Sequence, residues 1–137
     1  MKVDLSSYNN NNYQPGPFLK RGLWYFINFV IFNSGIFPLY KLKVTLLRIF
    51  GCKIGKGVFI KPNVNIKYPW KLNIGNNVWI GEGVWIDNLD EVSIGNNVCI
   101  SQGALLLCGN HDYKKSSFDL ITKPIVLEEG VWIGARA

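Results

Sequence analysis

The sequence lacks acidic residues over more than half of its length. No Asp or Glu lies between Leu5 and Gly81, whereas ten Lys or Arg residues occupy that span. The whole chain has 15 basic and 9 acidic residues, for a formal net charge of +6. This excess of positive charge favours an anionic partner, such as a membrane surface or a phosphate-bearing ligand. No nucleic acid is expected as a partner, because the basic residues are scattered through apolar sequence without a recognised binding motif.

Cysteine, histidine and long apolar runs are also scarce. The three cysteines, Cys52, Cys99 and Cys108, show neither CxxC pairs nor zinc-ligand spacing. This indicates reduced thiols in a cytoplasmic protein. No apolar run is long enough to cross a bilayer, and the N-terminus lacks the basic-then-apolar order of a signal peptide. The chain has a single histidine, His111.

The first 50 residues divide into a polar arm and an apolar segment. Residues 1–18 contain an asparagine run and two prolines, which predict a flexible or extended arm. Residues 19–50 are apolar and aromatic, with an interruption near 34–38, and predict two helices. The second helix, at about 39–50, has an apolar stripe at helical spacing, with Lys43 outside it. The residues of the stripe are Leu39, Leu42, Leu46 and Ile49.

Two roles remain open for residues 19–50. The segment can be a helical cap that packs on the end of the region that follows. Alternatively, it can be an in-plane membrane anchor, basic on one side and with Trp24, Tyr25, Phe26 and Phe29 in the interface of an anionic leaflet. The apolar run is too short for a membrane-spanning helix in either case.

The second half of the chain repeats every 20 residues. Ile54-Gly55, Ile74-Gly75 and Ile94-Gly95 begin three successive segments. Self-similarity at this period is typical of a solenoid, whose coils bury their apolar faces by stacking. The register returns at Leu127, 33 residues after Ile94, so one coil carries a 13-residue insertion. The loop, at about 108–124, contains His111 and is the expected place of function.

Within each coil the pattern predicts turns and one outward column. Gly and Asn tolerate a left-handed backbone, so their recurring positions predict corners. Two corner columns follow from the register: Gly57, Asn77 and Asn97, and Asn63, Gly83 and Gly103. Another column points outward and contains three large aromatic side chains and one cysteine: Phe59, Trp79, Cys99 and Trp132. Aromatic side chains in a row on a surface predict a subunit interface.

These hexads resemble the repeat of the left-handed β-helix acyltransferases. Four of them are Ile54-Gly55-Lys56-Gly57-Val58-Phe59, Ile74-Gly75-Asn76-Asn77-Val78-Trp79, Ile80-Gly81-Glu82-Gly83-Val84-Trp85 and Ile94-Gly95-Asn96-Asn97-Val98-Cys99. The resemblance covers residues 51–137 and implies an all-β solenoid, a left-handed parallel β-helix behind an N-terminal helical segment. The apolar N-terminal segment and residues 68–72 and 108–112 are further similar to colanic-acid-type O-acetyltransferases of polysaccharide synthesis.

The resemblance implies an acetyl-CoA-dependent O-acetyltransferase that modifies a sugar hydroxyl and works as a homotrimer. His111 matches the general base of the family, and Trp132, Gly134 and Ala135 match positions along the acetyl-CoA arm. A zinc enzyme built on the same helix needs three histidines per site, so no metal is expected here.

The 20-residue register adds neighbours for His111. It places Glu91 in the column of His111 and Asp90 in that of Asn110, so either carboxylate can orient the imidazole. Asp87, Asn88 and Asn110 are candidates for contacts with the acceptor hydroxyls. A related sugar-acetylating subfamily has an Asn where this chain has Glu82-Gly83, which leaves the acceptor open.

The end of the sequence departs from the family. The chain stops within a repeat at residues 134–137, where relatives continue, so we expect a C-terminal truncation. Two alternatives to polysaccharide acetylation therefore stay open. One is an inactive scaffold or oligomerisation fragment, and the other is an acetyltransferase for a small molecule such as a free sugar, an antibiotic or an amino acid. The basic N-terminal region suggests a peripheral position at the inner membrane face.

Overall fold

Two helices precede the repeat region in the computed structural model, which describes residues 2–137. Helix α1 comprises Phe18–Ile27 and continues as a π-helical turn, Asn28–Phe32. Helix α2 comprises Tyr40–Ile49. The break between them, at 33–39, contains Gly35 and Pro38, residues that disfavour helix continuation.

Short strands make up the rest of the described chain. They are β1 (Lys53–Ile54), β2 (Phe59–Ile60), β3 (Asn65–Ile66), β4 (Leu72–Ile74), β5 (Trp79–Ile80), β6 (Trp85–Asp87), β7 (Val92–Ile94), β8 (Cys99–Ile100), β9 (Leu105–Leu107), β10 (Gly109–His111), β11 (Leu120–Thr122), β12 (Ile125–Leu127) and β13 (Trp132–Ile133).

Successive strands enter different parallel sheets. The strand orders are β1-β4-β7-β12 in the first sheet, β2-β5-β8-β13 in the second and β3-β6-β9 in the third. Each of the first three coils thus adds one strand to each sheet, and their partners lie 20 residues apart, as in Ile54↔Ile74 and Ile74↔Ile94. Parallel sheets stacked in this way, together with two helices, fit the predicted β-helix.

Inward and corner positions follow the repeat. The interior is a column of aliphatic side chains, of which Val64, Val84 and Ala104 are buried at one level. All six Gly and Asn positions of the two corner columns have positive φ, for example 71° at Gly57 and 55° at Asn77. The prediction of turns from these residues is confirmed, because few other side chains tolerate this backbone.

The helices close the first coil. Trp24, Phe32, Leu47 and Phe50 are buried in the same core as the strands. The Trp24 indole donates a 2.8 Å hydrogen bond to the Ile66 carbonyl. Residues 19–50 therefore do cap the repeat region. The expectation that Trp24 enters a membrane interface is wrong, because that side chain is only 1% exposed.

The cap corrects a second expectation, the orientation of α2. The sequence pattern placed Lys43 outside the apolar stripe, but Lys43 is buried and its Nζ donates to the Lys61 carbonyl at 3.0 Å. Burial lowers the pKa of this ammonium group. Leu42 and Ile49, from the predicted stripe, are exposed instead. The Lys61 carbonyl lies at the edge of the first coil, and the hydrogen bond from Lys43 satisfies it. This polar contact, rather than the apolar spacing of α2, sets the side of the helix that faces the core.

None of the helices in residues 2–137 is both long enough and apolar enough to cross a membrane.

Candidate functional site

The insertion forms an antiparallel hairpin at a corner of the coil. Strand β10 pairs with β11, with His111 opposite Leu120. The coil then resumes at Ile125, which pairs with Val92 of the preceding coil. The hairpin therefore leaves the stack and carries His111 with it.

Phe118 holds the His111 ring. Nδ1 of His111 lies 2.9 Å from the Phe118 carbonyl oxygen. Because a carbonyl oxygen only accepts hydrogen bonds, Nδ1 carries the proton and Nε2 keeps its lone pair in the neutral ring. The two rings also stack, with centroids 4.4 Å apart and an interplanar angle of 5°. This arrangement prepares Nε2 to accept a proton.

The backbone at Phe118 is unusual for an aromatic residue. Its φ is +52°, in the left-handed region that bulky side chains rarely occupy. Such a conformation persists where neighbouring contacts enforce it, and it often occurs at functional sites. Here it turns the carbonyl and the ring of one residue toward the same imidazole. The sequence pattern did not reveal Phe118, and no motif marks it.

The N-terminal arm lies against this hairpin. The Asp4 amide donates to the Ser116 carbonyl at 2.8 Å, and the Tyr8 ring meets His111 edge-on at 5.7 Å. Further along, the Tyr13 hydroxyl donates to the Leu89 carbonyl at 2.7 Å. The arm thus forms one wall of the site and leaves His111 only partly exposed.

Neither predicted carboxylate orients His111. Asp90 accepts from the Glu91 amide at 2.7 Å, and Glu91 accepts from the Asn73 side chain at 3.0 Å. The column prediction that paired Glu91 with His111 is wrong, because the 20-residue register holds only as far as Leu107, opposite Asp87, and the chain then enters the hairpin. The Glu91 carbonyl instead accepts from the Ile125 amide, where the coil resumes.

Asn88 has a structural role, so the prediction that it contacts the hydroxyls of the acceptor substrate is corrected. Its side chain is completely buried. The amide oxygen accepts from the Tyr68 amide at 2.9 Å, and the amide nitrogen donates to the carbonyls of Tyr68 and Lys71 at 2.7 and 3.1 Å. All three hydrogen bonds go to backbone groups of the preceding corner, and both N–H donors of the amide are used there.

Asp87, the next candidate, faces a groove between α1 and the third sheet. The groove has a volume of about 510 Å³, and Arg21, Tyr68 and Trp85 also line it. Oδ1 of Asp87 is buried and has no hydrogen-bond partner among the described residues. Lys67 approaches this oxygen at 3.6 Å, an ion-pair distance beyond hydrogen-bond range. The Asp87 side chain as a whole is 16% exposed, so a ligand in the groove would meet the rest of this carboxylate rather than the buried Oδ1.

The other predicted site residues are on the surface. Asn110 is exposed, and its side-chain oxygen accepts from the His111 amide at 2.8 Å. Trp132 is 75% exposed and donates to the Ser101 hydroxyl at 2.8 Å. Gly134 and Ala135 follow β13 in exposed chain, and nothing lies within 4 Å of a side chain added at Gly134. The hairpin brings Asn110 to His111, whereas Asp87 lies on the preceding coil.

Comparison with known proteins identifies the family. The chain is 39% identical over 131 residues to the "Putative colanic acid biosynthesis acetyltransferase WcaF" of Escherichia coli K12. The match covers 95% of this chain and 72% of the relative, and the WcaF protein of Shigella flexneri matches equally. This chain belongs to the WcaF-type acetyltransferases. Neither a family profile nor a solved structure matches the chain.

A cysteine nucleophile is unsuited to this acetyltransferase. Cys108, three residues before His111, is buried, and burial raises the pKa of its thiol. The thiol points to the Asp90 carbonyl at 3.6 Å rather than to the imidazole. Because the thiolate is the reactive form, Cys108 is suppressed as a nucleophile.

Within residues 2–137, no group of three or more His, Cys, Asp and Glu side chains could hold a metal ion.

Proposed function

We propose that this acetyltransferase moves an acetyl group from acetyl-CoA to a saccharide hydroxyl, with His111 as the general base. The observation that carries the proposal is the Nδ1 contact with the Phe118 carbonyl at 2.9 Å, which leaves Nε2 as an acceptor. Membership in the WcaF-type acetyltransferases supports the reaction class. The name of that relative also supports an acceptor in the biosynthesis of a polysaccharide.

In the proposed step, Nε2 removes the proton of the acceptor hydroxyl as the oxygen attacks the acetyl carbonyl. The Phe118 carbonyl stabilises the imidazolium that forms, because it stays hydrogen-bonded to the Nδ1–H. The proton can then pass from Nε2 to the departing thiolate. The neighbouring rings of Phe118 and Tyr8 fix the position of the imidazole, so little reorganisation is needed.

We infer that acetyl-CoA binds along the surface that follows the hairpin. When bound, it supplies a thioester whose carbonyl is open to attack by an oxygen nucleophile. The exposed Trp132 indole offers a flat apolar surface to its acyl arm, and Gly134 leaves open space next to the small, exposed Ala135. We place the reaction in the cytoplasm, where acetyl-CoA is available.

The groove at Asp87 suits the acceptor. Aromatic faces such as those of Tyr68 and Trp85 pack against the apolar faces of sugar rings, and a carboxylate accepts hydrogen bonds from sugar hydroxyls. Burial raises the pKa of Tyr68, so its hydroxyl stays protonated and can donate. These properties support a saccharide in this groove.

Asp87→Asn should raise the acceptor KM about tenfold, because a hydrogen bond to a charged group contributes about 1.5–3 kcal/mol. The KM for acetyl-CoA should not change. Steady-state kinetics with both substrates varied will test this, using saccharide acceptors found by screening. Glu129→Gln, an exposed carboxylate away from the groove, is the matched control. An unchanged acceptor KM in the Asp87 variant would remove Asp87 from the acceptor site.

We also propose a homotrimer of left-handed β-helices, formed through the second sheet. Phe59, Trp79, Cys99 and Trp132 are in register across β2, β5, β8 and β13. Trp79 is 62% exposed, and Phe59 packs edge-on against it at 6.5 Å. Exposed aromatic surface of this kind is normally buried by a partner. The left hand rests on the resemblance of the hexads to the acyltransferase repeat.

Light scattering should give the mass of three chains at micromolar concentration. The double variant Trp79→Ser/Trp132→Ser should give the mass of one chain, because it removes the largest aromatic area from the proposed interface. Trp85→Ser is the matched control, since Trp85 is exposed on the third sheet and should leave the trimer intact. A single-chain mass for the unaltered protein would contradict the trimer.

Two other functions remain to be separated by experiment. An inactive scaffold would not bind acetyl-CoA, which calorimetry can measure directly. An acetyltransferase for a free sugar, an antibiotic or an amino acid would bind acetyl-CoA and acetylate that small acceptor in solution. Mass spectrometry of the host glycan, with and without this gene, would distinguish the small acceptor from a polysaccharide precursor.

A further inference from the structure

Helix α1 exposes a continuous apolar face. The residues of this face are Phe18, Leu19, Gly22, Leu23, Tyr25, Phe26 and Phe29. At 100° per residue they cover nearly half of the helix circumference, and none of them is charged. Phe18 and Leu19 are 78% and 82% exposed. A surface helix of a water-soluble protein normally presents polar residues on its exposed side.

The two bases of α1 lie outside this apolar face. Lys20 places its Nζ 4.9 Å from the Trp70 ring centroid, and Arg21 donates from Nε to the Gly16 carbonyl at 3.1 Å. Both side chains are partly buried on the protein side of the helix. The Arg21 guanidinium lies 5.7 Å from the Phe18 ring centroid, so it borders the apolar face at its N-terminal edge.

More apolar surface is exposed in the rest of the cap. Ile36 and Leu39, between the helices, are 80% and 59% exposed, and Ile49 of α2 is also exposed. An accumulation of exposed apolar residues usually marks an interaction site. Because Trp24 and Phe32 already secure the helix to the core, the outer face is not needed for the fold.

The positive charge around the cap distinguishes between the possible partners of the apolar face. The span from Leu5 to Gly81 contains ten bases and no acid, and Lys41, Arg48 and Lys53 are exposed within it. A second copy that docked through the same face would bring an equally positive cap against the first, and like charges oppose such a contact. An anionic lipid surface attracts the same bases, each by about 1 kcal/mol near the headgroups.

We propose that the apolar face of α1 lies in the plane of an anionic membrane surface, with the basic residues of the cap near the headgroups. The helix enters the interface without crossing it, because ten residues are too few for a span that needs about 20. Phe18, Gly22, Tyr25 and Phe29 of this face also line the groove proposed for the acceptor, so the two proposals share one side of α1. The binding test needs no substrate, so membrane binding can fail while the proposed function stands.

The test is cosedimentation of the full chain with vesicles, without substrates. Vesicles of phosphatidylcholine and phosphatidylglycerol at a ratio of about 7:3 should bind the protein at low salt. Binding should fall at least tenfold with pure phosphatidylcholine, and strongly as the salt concentration rises. The triple variant Leu19→Gln/Leu23→Gln/Phe26→Gln should bind anionic vesicles at least tenfold more weakly, since three apolar side chains no longer insert.

The matched control is Leu5→Gln/Ile121→Gln/Val126→Gln, which changes three exposed apolar side chains outside the cap. It should bind vesicles like the unaltered chain. Circular dichroism should show that both triple variants are folded, because all six positions are exposed. No binding of the unaltered chain to anionic vesicles at low salt would overturn the proposal. A triple variant that binds vesicles normally but forms a smaller assembly by light scattering would also overturn it and show a protein interface instead.

Discussion

His111→Ala should lower the rate of acetyl transfer about 10²–10⁴-fold, which is the usual contribution of a positioned general base. The loss should appear in kcat, because the imidazole acts as the hydroxyl oxygen attacks rather than when substrates bind. Binding of acetyl-CoA should be nearly unchanged by calorimetry, since the proposed contacts of its arm are Trp132, Gly134 and Ala135. Transfer is measured with acetyl-CoA and a saccharide acceptor.

The control for this prediction is Asn110→Ala, which changes the neighbouring side chain of the same strand. Asn110 is exposed and contacts the His111 amide, so its loss should have a much smaller effect on kcat than the loss of the imidazole. His111→Ala should also keep the circular dichroism spectrum of the unaltered enzyme, since the hairpin lies outside the stack of coils. Activity within threefold of the unaltered enzyme would exclude His111 as the base.

Asn88→Ala should lower the free energy of unfolding by about 3–5 kcal/mol. The substitution leaves the amide and carbonyl of Tyr68 and the carbonyl of Lys71 without their buried partner, and each unsatisfied buried group costs about 1–3 kcal/mol. Urea denaturation followed by circular dichroism measures the change.

Asn110→Ala again serves as the comparison, because an exposed asparagine should change the stability by less than about 0.5 kcal/mol. A folded fraction of the Asn88 variant should keep the acceptor KM of the unaltered enzyme. If Asn88→Ala instead raises the acceptor KM without loss of stability, Asn88 contacts the acceptor and the structural assignment is wrong.

The periodic part of the fold could be predicted because it is local and repeated. Every coil presents the same inward aliphatic positions and the same Gly or Asn corners, so errors at one corner are corrected by the others. The positive φ values at Asn63, Gly83 and Gly103 illustrate this agreement. The three outward aromatics and Cys99 likewise fall in register, since each is one coil from the next.

The neighbours of His111 could not be predicted from the register. A hairpin that leaves the stack ends the column relation, so counting back one coil gave Glu91 where the structure has Phe118. The decisive contact is made by a backbone carbonyl, and a carbonyl leaves no mark on the sequence. The contact with Tyr8 joins parts of the chain about 100 residues apart, which no local pattern reports.

Buried polar residues in the cap and corners escaped prediction for a related reason. Asn and Lys side chains usually face water. Only the tertiary structure shows that Asn88 and Lys43 donate to backbone carbonyls that would otherwise be buried without a partner. Hydrophobic patterns predict which apolar side chains are buried. They do not show which carbonyls and amides the coils leave without partners.

The hairpin closes on itself at its base, where the Lys123 amide donates to the Cys108 carbonyl at 3.1 Å. The chain can therefore leave the stack of coils and rejoin it at one corner, whatever the length of the inserted segment. Insertions, deletions and substitutions beyond this closure reshape the surroundings of the imidazole without shifting any aliphatic layer. Natural selection can change the chain around the imidazole while the stacked coils stay under a separate constraint, that of remaining folded.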